Sequence, residues 1–501
     1  GGLSWFDREN NELKPFYNEV GTDAWRFSNK LHAMMLDHQG NLWLGTHSKG
    51  LDQVTFFKNE FQQIKPQNCK DDTNANQVRS LCQDSRKQLW IGTRNSKVSV
   101  YSLDFQLQGY LTVDGRISLT LRGSAYKIIE DSKKNIWIAT KGNGIVQLIP
   151  QGSGYKMLHY TYDANDIYSL SHNNVYDLCE DSYGRIWDVT FGGGIDYIQK
   201  ESDGSVRFIN SRNNLKSYPM ERCYKARRML LDKKGMLWVA TSNGLLAFSE
   251  KFERPDTIDF HLFVCMPNKR EVLSCNDIYD ILLTHDGRLF FATFGGGLNE
   301  LKSLDKNGNG LFTSYSAKDG LPTDVLSSLA EDTKGDIWIG SESGLSKMDI
   351  VNHHFDNYLK QEIGEELSFE ESTAIRAEDG RLLFGTNRGL LCFTPELIRK
   401  NSYVPGIVLS GLKIANKDVV PRPESVLPES LNSLSHLYLS HKENTVTLSF
   451  AALDMSFPEN VKYAYMLDGF DKEWNYVGKQ RTATYTNLPK GNYVFRVKST
   501  N

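Results

Sequence analysis

Residues 36–46 read LDHQGNLWLGT: an apolar residue, an Asp that opens a turn, a Gly that closes it, and a strand of the form apolar-Trp-apolar-Gly-Thr. The strand returns as QLWIGT, NIWIAT, RIWDVT, MLWVAT, RLFFAT, DIWIGS and RLLFGT, giving eight copies. The Trp position falls at Trp43, Trp90, Trp137, Trp187, Trp238, Phe290, Trp338 and Leu383, in steps of 47, 47, 50, 51, 52, 48 and 45 residues. That period suits one four-stranded β-propeller blade. Asp and Gly spaced D-x-x-G between apolar runs (Asp37 to Gly40, Asp181 to Gly184, Asp232 to Gly235, Asp332 to Gly335) make a tight turn, so the first two strands form a hairpin. The Trp offers a flat face to the next blade, and the small residue two places on allows close approach. A third strand follows each Gly cluster, as in GNGIVQL and GGGIDYI, and no period-3.6 stretch of ten residues separates the copies. The fold class is all-β.

Composition agrees. The 11% aromatic content with 40 Gly and 14 Pro fits short strands and tight turns. A net charge of −3 offers no field for nucleic acid or an anionic membrane. The seven cysteines (69, 82, 179, 223, 265, 275 and 392) form no C-x-x-C pair, and Cys82 and Cys179 sit at matching repeat positions, so they are expected as small core residues. No segment has the roughly 20 apolar residues of a membrane-spanning helix. The opening GGLSWFD matches the middle of a repeat, so an earlier start of the natural chain is expected.

After Phe393 the Trp repeat stops, and from Pro405 alternating strands such as IVLSGLKI, NTVTLSFAAL and GNYVFRVKS indicate an immunoglobulin-like β-sandwich, truncated at its C-terminus. The segment YAYMLDGFDKEW, then Tyr485, then LPKGNYVFRVKSTN, resembles the tyrosine-rich Y_Y_Y domain, and the blades resemble two-component regulator propeller repeats. In that order they are similar to the sensor regions of hybrid two-component systems of Bacteroidetes. The resemblance implies a periplasmic sensor of an inner-membrane protein, with two propellers before a membrane helix, then a histidine kinase, receiver and DNA-binding regulator. It further implies an oligosaccharide ligand released from glycans, control of polysaccharide-utilisation genes, and a homodimer formed through the parent receptor. This chain carries no kinase motif, so sensing without catalysis is its expected share, with membrane contact only through the missing helix.

Seven copies, the second to the eighth, would close one ring at residues 59–400, leaving 1–58 as a remnant of a preceding propeller and 403–501 as the Y_Y_Y domain. FQQIK near residue 61 is expected to supply the outer strand of the last blade, since pairing the chain ends removes exposed edges. A single eight-bladed ring is the alternative.

Ligands are expected where the loops before the first strand and after the second open around the channel. Five residues before the turn Asp or its equivalent, inside an otherwise apolar strand, stand His32, Arg79, Tyr126, Tyr176, Arg227, Tyr279, Ser327 and Ser372. The residue after the second strand varies too: His47, Arg94, Lys141, Phe191, Ser242, Phe294, Glu342 and Asn387. Phe191 and Phe294 precede glycines and suit stacking on sugars, while Arg79, Arg94, Lys127, Lys141, Arg222 and Arg227 suit a carboxylate or sulfate. The expected ligand is an anionic oligosaccharide bound by these residues with Tyr126, Tyr176 and Tyr279.

No cofactor or metal site is indicated. DKNGNG at 305–310 resembles a calcium loop, but Ser316 stands where a bidentate Glu is needed, and the histidines have no metal-ligand spacing. No nucleophile elbow or phosphate loop occurs. The alternatives are a glycan-cleaving propeller, lyase or hydrolase, drawing on Asp177, Asp188, Asp280 or Glu342, and a protein-interaction propeller.

Overall fold

The computed structural model describes residues 2–8, 10–16, 28–55, 60–66, 74–110, 112–113, 116–117, 123–152, 154–201, 205–305, 308–398, 405–456, 458 and 461–500. Cys69, Lys306 and Asn307 lie outside them. The chain divides into two compact units, residues 59–398 and residues 1–58 with 399–501.

Residues 59–398 form seven four-stranded antiparallel sheets. Their inner strands are Val78–Gln83, Ser124–Glu130, Val175–Glu180, Ala226–Leu231, Ile278–Leu283, Leu326–Glu331 and Phe369–Arg376, and the sheets are numbered here as blades 1 to 7 in that order. The outer strand of blade 7 is Gln62–Ile64, paired to Gly389–Phe393 through Leu390 with Ile64 and Cys392 with Gln62. The FQQIK segment therefore completes the last blade, and the ring has seven blades, not eight.

The apolar core lies between the blades. Trp90 of blade 1 packs with Ile136, Ile138 and Val146 of blade 2, and Trp137 with Leu178, Ile186 and Phe208 of blade 3. Trp187 meets Phe248 and Val239 of blade 4. The ring closes where Val78, Leu81 and Ile91 of blade 1 meet Leu383, Leu390 and Cys392 of blade 7. The five ring tryptophans are at most 2% exposed, each removing roughly 3 kcal/mol or more of apolar surface from water. The small residue two places after the Trp is a packing requirement: a Cβ on Gly92 would lie 2.8 Å from the Ala125 side chain of the next blade.

The turn Asp has a second task. In six copies its Oδ2 accepts the indole N–H of the Trp six residues on, at 2.8 to 3.0 Å: Asp37 with Trp43, Asp84 with Trp90, Asp131 with Trp137, Asp181 with Trp187, Asp232 with Trp238 and Asp332 with Trp338. Its Oδ1 accepts backbone N–H groups two and four residues on, as Asp131 does from Lys133 and Asn135. Where the indole is replaced, by Phe290 and Leu383, the Asp is replaced too, by Thr284 and Ala377. The residue before the turn ties adjacent blades: Glu130 accepts the N–H and hydroxyl of Ser85, and Glu180 those of Ser132.

The second unit holds the hairpin Leu3–Asp7 with Glu12–Phe16, the three-stranded sheet of Leu31–Leu36, Leu42–Thr46 and Leu51–Val54, and a sandwich. The sandwich has sheets of four and three strands around Phe450, Val461, Tyr463, Leu467, Ala483 and Tyr485. Its buried tyrosines find partners: Tyr485 donates to Asp471 at 2.7 Å, and the Tyr463 hydroxyl accepts the Ala452 N–H at 3.0 Å. Asp305 is occupied by Asn309, whose backbone and side-chain nitrogens donate to its two oxygens, as in an ordinary hairpin turn.

The six described cysteines are free. Cys223 and Cys392 are buried; Cys82 and Cys179 are half-buried and pack against the inter-blade cores, with thiols pushed by burial up to about 11 and about 12.

Candidate functional site

Every inner strand of the ring breaks register with its neighbour near its first residues. The pairing slips between Val78 and Ser80, Ala125 and Lys127, Val175 and Asp177, Ala226 and Arg228, Ile278 and Asp280, and Leu326 and Ser328. The residues left over are Arg79, Tyr126, Tyr176, Arg227, Tyr279 and Ser327. A β-bulge leaves one residue without a cross-strand partner and re-aims its side chain. This explains why polar and aromatic residues interrupt an apolar strand: they do not belong to the alternation. In blade 7 the slip is larger, from Phe369 to Ala374, so Glu370, Glu371, Ser372 and Thr373 together stand opposite Gly385 alone, a surplus of three residues.

The bulged residues touch one another in blade order. The Arg79 guanidinium lies 4.2 Å from the Tyr126 ring centre, and the Tyr126 and Tyr176 rings are 4.7 Å apart. Tyr176 stacks on Phe191 at 5.0 Å. Arg227 sits between Phe191 and Tyr279, at 5.1 and 4.5 Å, and Tyr279 packs on Phe294 at 5.3 Å. Lys141 reaches Tyr126 and Tyr176 at 5.6 and 5.9 Å. Cations held over aromatic faces are fixed in position while keeping N–H groups for a ligand.

Blade 7 completes the circuit with carboxylates. Glu370 pairs with Arg79 in a nearly buried ion pair and also accepts the Gln77 amide at 2.5 Å. Glu371 reaches Arg227 of blade 4 at 3.3 Å, and the Ser372 hydroxyl donates to the Tyr279 carbonyl of blade 5 at 2.5 Å. These partners are not in adjacent blades, so the extra residues of blade 7 cross the channel. Asp277 supplements them, accepting from Arg227 at 3.1 and 3.4 Å.

Beneath lies a second layer, made by residues that follow the bulges. Lys127 pairs with Asp177 at 3.5 Å, and Arg228 with Asp177 and Asp280 at 3.1 and 3.2 Å. Asp177 also accepts the Met229 N–H and Asp280 the Leu329 N–H, both at 2.8 Å. Burial, reinforced by the Arg228 charge, pulls the Lys127 ammonium below its usual range, while burial pushes Asp280 up despite Arg228. Two cations and two carboxylates thus neutralise each other under the ring.

The structure gathers Arg79, Tyr126, Lys141, Tyr176, Phe191, Arg227, Tyr279 and Phe294 into one surface. Arg94 is exposed beside it, donating to Gln77 at 3.0 Å. Lys127 belongs to the buried layer. Arg222 is exposed on the short helix Met220–Cys223, and no described contact joins it to the ring. Glu370, Glu371, Asp277 and Lys225, whose ammonium lies 5.2 Å from the Phe191 ring, were missed by the sequence reading. One signal was present in the spacing: counted back from the turn, Glu371 falls where the other ring blades have Val78, Ala125, Val175, Ala226, Ile278 and Leu326, although Phe369 takes the Val78 place in the ladder.

The carboxylates named for cleavage are committed elsewhere or apart. Asp177 and Asp280 are in the buried layer, and Glu342 is exposed. Asp188 pairs in register with Asp196, both fully buried. Asp196 accepts from Ser171 and Asn210 at 2.5 and 2.6 Å. Burial pushes Asp196 up to about 6, and burial together with the Asp196 charge pushes Asp188 well above the carboxylate range.

Family models match both parts of the chain. The two component regulator propeller family matches residues 27–48, 73–95, 169–187 and 320–343, and the Y_Y_Y domain family matches residues 454–501. Histidine kinase P4 of Formosa agariphila is 20% identical over 507 residues, across 100% of this chain and 32% of its own length. The chain thus spans about a third of that relative. Among solved structures, the extracellular domain of a one component system from B. thetaiotaomicron aligns at TM-score 0.51 and 20% identity, over 99% of this chain and 64% of that one. The extracellular domain of a hybrid two component system from the same organism aligns at TM-score 0.33 and 20% identity, over 100% and 79%.

Proposed function

We propose that this chain, which matches two-component regulator propeller repeats and a Y_Y_Y domain, senses acidic, glycan-derived oligosaccharides for a hybrid two-component receptor. The observation that carries this reading is the circuit of Arg79, Tyr126, Tyr176, Arg227 and Tyr279 with Lys141, Phe191 and Phe294. Aromatic faces suit the C–H faces of sugar rings, and guanidinium forks suit carboxylate or sulfate groups.

In this reading the region lies in the periplasm, the parent pairs as a homodimer, and binding shifts the receptor between two states that regulate polysaccharide-utilisation genes. Only a difference in ligand affinity between those states can drive the shift. Residues 59–400 are proposed as the sensing ring, 1–58 as the end of a preceding propeller, and 403–501 as the Y_Y_Y domain that passes the change on.

Calorimetric titration of the 501-residue chain with neutral and acidic oligosaccharides, followed by chromatography of the sugars, tests the reading. Saturable binding of intact acidic sugars is the expected outcome. Cleaved sugars would replace sensing by catalysis, and silence across the panel would point to a protein ligand.

A further inference from the structure

The four bulged residues of blade 7, 370–373, differ from every other bulge in length and chemistry. They place two adjacent carboxylates on two arginines of the circuit, Glu370 on Arg79 and Glu371 on Arg227. Ser372 is held at φ +50°, in the left-handed region that is unfavourable for a residue with a Cβ. Three bonds keep it there: Ser372 to the Tyr279 carbonyl, Thr373 to the Arg79 carbonyl at 3.0 Å, and the Glu371–Arg227 pair.

The two carboxylates are not equivalent. The Arg79 and Glu370 side chains are 10% and 9% exposed, so separating them would strand charges in a poorly hydrated place. Glu371 is 28% exposed and holds Arg227 by a single contact at 3.3 Å, while Asp277 grips the same guanidinium through two nitrogens. Removing Glu371 leaves Arg227 paired by Asp277 and still sandwiched between Phe191 and Tyr279. Resting on the acidic-ligand reading above, we propose that Glu371 is a built-in occupant of the Arg227 subsite, displaced when the carboxylate or sulfate of a ligand takes its place.

Such an occupant sets specificity. A neutral sugar offers Arg227 nothing to replace Glu371, whereas an acidic one exchanges one carboxylate contact for another and gains the aromatic faces. It also gives the site a moving part: Glu371 belongs to the blade completed by Gln62–Ile64, where the chain enters the ring and, after Gly389–Phe393, leaves it. Phe369, at the base of the extra residues, packs in the core of that blade with Leu382, Phe384 and Leu391.

The test uses inorganic sulfate as the probe, titrated at constant ionic strength against chloride and read by calorimetry on the full chain. If Glu371 fills the subsite nine-tenths of the time, Glu371→Gln should bind sulfate about tenfold more tightly than the wild type. Adding Arg227→Lys to that variant should remove the gain, because the fork is lost. Equal sulfate affinity in wild type and Glu371→Gln, no binding in either, or a gain that survives Arg227→Lys overturns the proposal. Intact binding of acidic oligosaccharides alongside that result leaves the sensing role standing, whereas sulfate competition without oligosaccharide binding removes the sensing role and keeps the competition.

Discussion

The two ends of each inner hairpin follow opposite rules. At the turn end, five ring blades repeat one arrangement, an Asp bonded to its own Trp indole and turn backbone, with distances varying by 0.2 Å. At the bulge end, the same strands present Arg, Tyr, Tyr, Arg, Tyr, Ser and an acidic insertion. A repeated blade needs the same packing solution each time, so its turn is uniform. The bulge leaves the ladder, packs against no repeated partner, and is free to differ. Uniformity marks what holds the ring; variation marks what the ring presents.

Breaking a turn should therefore cost stability and spare binding. Asp131 accepts from the Lys133 and Asn135 N–H groups, the Asn135 amide and the Trp137 indole. Asp131→Ala strands these donors in a site 6% exposed and is expected to destabilise the ring by roughly 3 to 5 kcal/mol, read by denaturant unfolding. Unchanged affinity for acidic oligosaccharides in the folded variant would complete the contrast. A cost below about 1 kcal/mol would show that the turn Asp is dispensable.

Breaking the bulge should do the reverse. Arg227→Ala removes the guanidinium between Phe191 and Tyr279, and affinity for an acidic oligosaccharide should fall about 100-fold, as for a central charged anchor. Asp277 and Glu371 are each 28% exposed and regain water, so the melting temperature should move little. A large drop in melting temperature with unchanged affinity would place Arg227 among the structural residues.

Legibility divides along the same line. The Trp repeat and its turn rest on local spacing written in consecutive residues; the closure, which joins Gln62–Ile64 to Gly389–Phe393, follows from the need to hide strand edges, and eight blades stay open until that pairing decides. The bulged residues were visible as interruptions of an apolar strand, although the bulge itself was not. The circuit was not visible, because its carboxylates meet residues far away in the chain: Glu370 and Arg79 are 291 positions apart. Lys127 was misplaced because one step past a bulge a side chain enters the buried layer. Arg222 was included for its charge and stands on a neighbouring helix. The indole bond of the turn Asp could have been read from the joint loss of Asp and Trp at Thr284 with Phe290 and Ala377 with Leu383.

Asp188 breaks the uniformity from inside, putting a carboxyl where the other ring copies have Ile91, Ile138, Val239, Phe291, Ile339 and Phe384. Both members of the Asp188–Asp196 pair are raised above an ordinary carboxyl, Asp196 to about 6 by burial and Asp188 well above its usual range by burial and the Asp196 charge. Between pH about 4 and those values the folded chain binds more protons than the unfolded chain, so stability is complete at the acidic end and falls as pH rises. Asp188→Asn keeps the shape without the charge. It should flatten that decline and raise stability at pH 8 by about 1 to 3 kcal/mol, measured by unfolding from pH 4 to 8. A steeper decline in the variant would mean that Asp188 is ionised in the native ring.

The smallest expected effect lies at the rim. Phe294 is 49% exposed, follows the second strand of blade 5, and touches Tyr279 at 5.3 Å without entering an inter-blade core. Phe294→Ala removes surface that water already reaches, so stability should stay within about 0.5 kcal/mol. Losing one stacking face should weaken oligosaccharide binding about three- to tenfold, a cost near 1 kcal/mol. Calorimetry with an acidic sugar and with sulfate separates the terms: the sugar should lose affinity and sulfate should not, since sulfate has no face to stack. Equal losses for both would mean that Phe294 acts by holding Tyr279 against Arg227, and would move it from the presented surface to the frame behind it.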